Sequence, residues 1–294
     1  MIVLVAGSSG LLGRALVAEL RAHGHQVRRL VRRDPAAGDE HRWNPPAGTI
    51  DEAALDGVDA VVNLCGSPMT PGRWSHARKQ EMKDSRIEPT EVLAEAVAER
   101  GIATMVNASG IDYYGDTGSA VVDESAAGGS GFLAELTTHW EQATQAAERA
   151  GARVVRLRTG VVLSGHGGML RYLTPLVRFG LGGRLGDGTQ YVPWISLPDH
   201  AAATRFAVEQ AAVRGPVNVV APHPVTNTEF VRQLGARLHR PTPWFVPKQA
   251  MRLLLGPDAV EPILNSHNAR PKALLDAGFT FRHEHLHQAL AAVV

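Results

Sequence analysis

The sequence predicts an α/β protein: a Rossmann-type, doubly wound parallel sheet with a smaller C-terminal substrate-side region. Three observations carry that expectation. Ile2-Val3-Leu4-Val5-Ala6 is an unbroken run of mostly branched apolar residues, the pattern of a strand buried on both faces. The run enters Gly7-Ser8-Ser9-Gly10-Leu11-Leu12-Gly13 and then a helical pattern at Leu12, Leu16 and Leu20. From there to Arg158, strand-like and helix-like segments alternate, as stacked βαβ units require.

In chain order, Gly24-His25 makes a turn, and Gln26 to Val31 reads as a second strand closing on Arg32-Arg33. Trp43-Asn44-Pro45-Pro46 through Asp51 reads as an irregular excursion, and Val58 to Leu64 as the third strand, ending in Cys65-Gly66. Arg73-Trp74 leads into a helical region whose latter part, Glu91 to Arg100, has helical spacing, and Gly101 terminates it. Ala103 to Ala108 is a fourth strand, followed by Ser109-Gly110 and a loop carrying Tyr113-Tyr114-Gly115. Gly128 to Gly131 reads as a flexible hinge, Phe132 to Ala150 as one helix, and Arg153 to Arg158 as a fifth strand. The dinucleotide domain is expected over 1–168, its sheet completed by part of 190–222, where Val217 to Val220 reads as an edge strand. Residues 169–294 form the smaller lid-like region, with a helix opening at Pro198-Asp199 and another capped by Asn227.

Composition narrows the function. A 44% hydrophobic fraction is ample for a core, and a formal net charge of +1 gives no pull toward nucleic acid or a membrane. Cys65 is the single cysteine, so a reducing compartment is expected, and neither a signal peptide nor a membrane-spanning run is legible. The expectation is a cytoplasmic monomer or homodimer that takes a small-molecule substrate.

The glycine loop points to a dinucleotide. Gly7 allows the tight turn, Gly10 lets a pyrophosphate approach the backbone, and Gly13 lets the helix pack close to the strand. The N–H groups around Ser9, Gly10, Leu11 and Leu12 open the helix toward phosphate. At the end of the second strand NAD-binding chains carry an acid for the ribose hydroxyls. Here Arg32 and Arg33 stand, and guanidinium suits a 2′-phosphate, so NADP(H) is expected. The alternative is a solvated basic turn partnered by Asp34.

Together these residues resemble the extended short-chain dehydrogenase/reductase superfamily, and within it the atypical "epimerase family" branch related to the human SDR family 39U protein. The resemblance rests on the glycine loop, Trp43-Asn44-Pro45, Asn63-Leu64-Cys65-Gly66, Arg73-Trp74, Lys79, Ser85-Arg86, Tyr113-Tyr114-Gly115, Trp140-Glu141, Gly160 to Leu163 and Trp194-Ile195. The tail from Val246 to Leu290 resembles the family's small C-terminal domain. The resemblance implies NADP(H) binding by Arg32, Arg33, Leu64, Cys65, Gly66, Glu81, Arg86 and Val161. Three positions depart from the pattern, all near the expected substrate side: Ser67 in place of an acid, Ser196 in place of a histidine, and Asp112 in place of a small residue.

Ordinary members use a tyrosine with a lysine four residues later, because a phenol near pKa ~10 is a poor base at neutral pH without a cation. The only lysines are Lys79, Lys83, Lys248 and Lys272, and Ser75, Lys79, Trp244 and Asn268 stand four residues before them. The matching helix positions hold Leu133 and Thr137. Ser109 and Tyr113 are then the candidate catalytic groups, Ser109 also touching the cofactor. The competing reading for Ser109 is a strand-end serine satisfying backbone groups or touching the nicotinamide, and for Tyr113 a pocket wall or core packing. His283, Glu284, His285 and His287 crowd the tail, but helical spacing splits them between faces and no metal site is expected.

Overall fold

The computed structural model describes residues 1–69 and 72–294. Strand β1 (Ile2–Ala6), helix α1 (Leu11–Ala22) and β2 (Gln26–Val31) open the fold. Then come β3 (Glu40–Asn44), β4 (Thr49–Ile50), β5 (Ala60–Asn63), the long helix α2 (His76–Arg100) and β6 (Thr104–Gly110). A short β7 (Val121–Val122) precedes α3 (Phe132–Gln142), α4 (Gln145–Arg149), β8 (Arg153–Thr159) and β9 (Val161–Leu163). The C-terminal part runs α5 (Leu170–Arg178), β10 (Gly183–Leu185), β11 (Tyr191–Val192), β12 (Trp194–Ser196), α6 (Leu197–Glu209), β13 (Gly215–Val219), β14 (Val225–Thr226) and α7 (Asn227–Arg237). It closes with β15 (Trp244–Val246), α8 (Lys248–Leu255), α9 (Pro257–Leu264), β16 (Asn268–Ala269), α10 (Lys272–Asp276) and α11 (Leu286–Val293).

Eight strands form the central sheet in the order β13-β8-β6-β5-β1-β2-β3-β4. Every neighbouring pair is parallel except β3 and β4. The chain winds outward from β1 on one side through β2 and on the other through β5. The carboxyl end of that reversal is the crevice where open α/β sheets bind ligands. Alternation along β1 splits the core: Val3 and Val5 face Leu16, Leu20, Ala203 and Ala207, while Leu4 and Ala6 face Leu93, Ala94 and Val97. Both faces are covered, so the apolar run of β1 is a consequence of burial on two sides.

The tail reaches the same core. Leu274, Phe279 and Phe281 pack with Ala203, Ala207 and Val219 beneath the sheet. Asp199 in the first turn of α6 is fully buried. Its carboxylate accepts from the Ser196 hydroxyl at 2.8 Å and from the backbone N–H groups of Arg282 at 2.8 Å and His283 at 3.0 Å. A buried carboxylate is tolerated where hydrogen bonds satisfy it, and here the tail supplies two of them.

Four sequence expectations are corrected. The excursion at 43–51 includes part of β3 and β4, a hairpin at the sheet edge that turns through Pro45–Ala47 and Gly48 at φ 67. Only Glu40 and Trp43 of β3 are buried, so no apolar run announced it. The helical region expected after Arg73-Trp74 is α2, which begins at His76, passes through Pro89 and is capped by Gly101. Phe132 to Ala150 breaks at Ala143-Thr144, where the Thr144 hydroxyl donates to the Glu141 carbonyl at 2.7 Å. Thr226, not Asn227, caps α7 by accepting from the Glu229 N–H. The glycine segment 128–131 is a close-packed crossing: a Cβ on Gly129 would lie 2.1 Å from the Tyr114 carbonyl oxygen, so glycine serves approach here.

Candidate functional site

The glycine loop lies at the β1/β5 reversal and fits a phosphate cradle. Gly7 has φ 77, and a Cβ there would stand 2.7 Å from the Leu64 backbone. A Cβ on Gly13 would stand 2.2 Å from the Gly7 carbonyl oxygen. These two glycines are required by the protein itself. Gly10 is different: its φ is −71 and the nearest protein atom to a Cβ is 3.4 Å away. The fold alone does not demand glycine there, whereas a pyrophosphate lying on the backbone would. Gly10 is also the N-cap of α1 and provides no side-chain cap, so the first-turn N–H groups stay available to an anion.

The two arginines after β2 part company. Arg33 is forked on Glu40 at 2.7 and 2.8 Å. That hydrogen bonding, with an N–H from Ala36, pulls the Glu40 carboxyl down to about 2. Arg32 is exposed and has no ion pair among the described residues. Its charge reaches Cys65, whose thiol burial pushes up to about 12 against the pull of Arg32. Leu64 and Cys65 follow β5, with the Leu64 N–H on the Ala6 carbonyl and the Cys65 N–H on the Asn63 side chain at 3.0 Å.

Beneath Gly66 lies Arg86, buried on α2, donating to the Ser67 and Met82 carbonyls at 3.1 Å each. Its guanidinium sits 5.3 Å from the Trp140 ring, and burial pushes its pKa down to about 10. Arg86 therefore holds the 66–67 turn from below. Glu81, one and a half turns earlier, points elsewhere: its carboxylate pairs with Arg78 at 2.5 Å on the surface. Val161 opens β9, which pairs in parallel with β12.

Ser109 is buried, and its hydroxyl donates to Glu141 at 2.7 Å. Glu141 also receives Arg158 at 2.8 and 2.9 Å. Arg158 donates to the Tyr114 hydroxyl at 3.0 Å, which in turn donates to Asn218 at 2.8 Å. Tyr113 stacks its ring on Arg158, 3.4 Å from the guanidinium carbon. Ser109 thus stands within a closed, buried polar network, its proton already committed to a carboxylate. That is the strand-end reading of Ser109, with a carboxylate in place of backbone groups.

On α3, Leu133 packs with Met82 and the Thr137 hydroxyl donates to the Leu133 carbonyl at 2.7 Å. Beside Thr137 lies Asp112: a Cβ on Gly110 would stand 3.6 Å from Thr137 Oγ1 and 3.7 Å from Asp112 Oδ2. Burial pushes the Asp112 carboxyl up and the nearby His267 imidazole down, and each group's charge acts against the other's shift. His267 Nε2 is buried without a partner among the described residues. Neither Arg158 nor His267 belongs to a motif. Arg158 is one of three arginines on β8, with Arg153 and Arg156, so residue type alone does not single it out; His267 arrives from the tail and carries no sequence signal. At the Ser196 departure, His283 Nδ1 lies 2.9 Å from the serine hydroxyl, so the tail brings an imidazole to that place.

The tail histidines group differently from the spacing argument. Glu284 and His285 meet His223, with potential ligand atoms within 4.8 Å of one another and all three residues exposed. The His223 and His285 rings are stacked 4.6 Å apart and 4° from parallel, and the His285 ring already accepts from the helix backbone. An ion has to lie in the plane of each imidazole that binds it, which parallel stacking prevents.

Two family models match the chain: the NAD dependent epimerase/dehydratase family over residues 3–221, and a domain of unknown function, DUF1731, over 246–293. An epimerase family protein from Mycobacterium bovis, Mb2239, is 53% identical over 98% of this chain and 96% of its own. The human epimerase family protein SDR39U1 is 35% identical over the full length of both. The crystal structure of its isoform 2 with NADPH superposes with a TM-score of 0.90 at 31% identity, covering 100% of this chain and 99% of that one. A nucleoside-diphosphate sugar epimerase from Corynebacterium glutamicum reaches 0.82 at 37% identity, over 99% of this chain and 57% of that one. With the sheet, the glycine loop and the tail all accounted for, the chain belongs to the NAD dependent epimerase/dehydratase family, among the epimerase family proteins that include SDR39U1.

Proposed function

We propose that the protein binds NADP(H) across the β1/β5 reversal and acts as an oxidoreductase or epimerase on a small polar molecule. The observation that carries this is the pairing of an uncapped α1 N-terminus, with an open Gly10, and an unpartnered Arg32 on the adjacent strand end. The first suits a pyrophosphate, the second a ribose 2′-phosphate. The human relative crystallised with NADPH supports the same choice. Leu64, Cys65 and Gly66 line the ribose side, and Arg86 holds that turn in place. Ser9, Leu11 and Leu12 contribute backbone at the cradle, and Val161 lies at the strand end beyond β8.

A bound nicotinamide supplies the hydride chemistry; the chain's part is orientation, exclusion of water and proton handling. Ser109, committed to Glu141, is a support for the sheet end. Tyr113, its ring face on Arg158, is a wall residue whose hydroxyl lies against Gly128. The groups that favour a polar substrate are Asp112, a carboxyl near Thr137, and His267, an imidazole whose charge acts on that carboxyl.

A second reading, an NADP(H)-binding sensor without turnover, is favoured by Leu133 and Thr137, since neither can act as an acid or base at neutral pH. Thermal melting with NADPH, NADH or neither tests the shared part. A ligand that binds only the native state raises its stability, and NADPH is expected to raise Tm more than NADH. Equal shifts would sink the role of Arg32, and no shift would sink both readings. Loss of NADPH absorbance across a panel of carbonyl compounds then decides between enzyme and sensor, and a rate unaltered by Tyr113→Phe confirms the wall role of that residue.

A further inference from the structure

Helix α5 has two apolar stripes. Leu170, Leu173 and Val177 enter the core with Phe230 and Leu234. Tyr172 and Leu176 continue at i, i+4, i+7 spacing into Phe179 on the opposite side, and all three are exposed, Phe179 by 82%. The stripe extends across the chain. The Trp244 indole donates to the Gly180 carbonyl at 2.9 Å, and β10 pairs with β15 as a two-stranded sheet. This brings the exposed Trp244 beside Phe179 and Leu181, while Phe245, next along β15, lies on the other face of the ribbon with the Arg184 guanidinium 5.8 Å from its ring. Contiguous apolar surface of this kind marks an interaction site.

The charge on these elements is of one sign. From Leu170 to Gly186 there are Arg171, Arg178 and Arg184 and no acid. From Phe230 to Pro257 there are Arg232, Arg237, Arg240, Lys248 and Arg252, again with no acid, in a chain whose formal net charge is +1. Of these eight cations only Arg232 forms an ion pair among the described residues. A second copy seated here would set the same cations against one another, because a two-fold contact repeats one patch on both sides. Exposed aromatic and aliphatic groups on elements that also carry Arg171, Arg178 and Arg184 match an anionic lipid surface, where the apolar groups enter the headgroup boundary and the cations meet lipid charge.

We propose that the face built from α5, β10 and β15 docks peripherally on anionic bilayers. No helix is long and apolar enough to cross a membrane among the described residues, so the contact is with the surface. The proposal is independent of the cofactor reading.

The test is flotation of the full chain with vesicles of phosphatidylcholine alone and of equal parts phosphatidylcholine and phosphatidylglycerol, at low and high salt. Binding is expected to the anionic vesicles only and to weaken as salt screens the charges. The exposed pair Phe179→Ser/Leu181→Ser should abolish flotation with Tm retained, and Arg171→Gln/Arg178→Gln should lower partitioning about fivefold per charge removed. Absence of flotation, equal flotation on neutral vesicles, or flotation indifferent to both double variants would overturn the proposal. So would a dimer in light scattering that Phe179→Ser/Leu181→Ser dissociates, which would make the occupant a second copy.

Discussion

Arg33 lies fork to fork on Glu40, while the adjacent Arg32 has no carboxylate among the described residues. Two neighbouring guanidiniums of identical sequence character thus have different work. Arg32→Gln is expected to weaken NADPH binding about ten- to a hundredfold, the worth of a charge-assisted hydrogen bond to phosphate, with NADH binding and Tm unchanged. Arg33→Gln should lower Tm and spare the NADPH preference. Fluorescence titration with the two dinucleotides, beside melting of each variant, separates the two roles.

The glycine loop yields a second contrast. Gly13→Ala puts a methyl 2.2 Å from the Gly7 carbonyl oxygen and should cost about 1–3 kcal/mol of stability. Gly10→Ala meets nothing closer than 3.4 Å, and the loss of a favourable N-cap residue should cost no more than about 1 kcal/mol. Its effect belongs to the ligand: NADPH affinity should fall sharply. Urea denaturation and NADPH titration of both variants check the pairing, and a stable Gly10→Ala protein that binds NADPH normally would contradict the cradle.

Ser109 and Glu141 provide a third. Removing the Ser109 hydroxyl leaves Glu141 with its two Arg158 bonds, so Ser109→Ala should cost about 1–2 kcal/mol and leave NADPH binding intact. Glu141→Leu leaves Arg158 buried without a counter-charge and should cost about 3–5 kcal/mol. Chemical denaturation orders the two variants. A Ser109→Ala protein of wild-type stability would argue against the structural role.

A fourth concerns pH. His200 is fully buried, its Nε2 3.3 Å from the Thr159 hydroxyl, and burial pushes its pKa from 6.5 down to about 4. Between those values the unfolded chain holds the proton and the folded chain does not. The contribution to stability is therefore full above about 6.5 and is lost as pH falls toward 4, up to about 3 kcal/mol. His200→Gln should flatten the fall in urea midpoint between about pH 7 and pH 4.5, whatever it does to the midpoint at pH 7.

The parts of this fold that the sequence made legible are those whose pattern is set by burial on two sides or by glycine geometry. β1, the turn at Gly7 and the close packing at Gly13 follow from residue types that no other environment favours. β3 escaped because an edge strand with one buried Trp and one buried Glu has no apolar period. The helical region of α2 was legible, and it continues through Pro89 where packing of Met82, Leu93 and Val97 outweighs a lost hydrogen bond. At the site, the dinucleotide edge could be read from local motifs, whereas Asp112 and His267 come together only through the path of the tail. The Arg158 network had no local signal, because Arg153 and Arg156 share its strand and its partners Glu141 and Tyr114 lie on other elements.

Asp199 sets a limit on how this chain can be divided. Two of the three donors to its carboxylate come from residues 282 and 283, and three apolar side chains of the same tail are embedded under the sheet. A gene cut between the two matched regions would strand a buried charge and open the core at once. The tail is thus a structural part of the sheet domain and not an appendage, and the chain should unfold in a single cooperative transition.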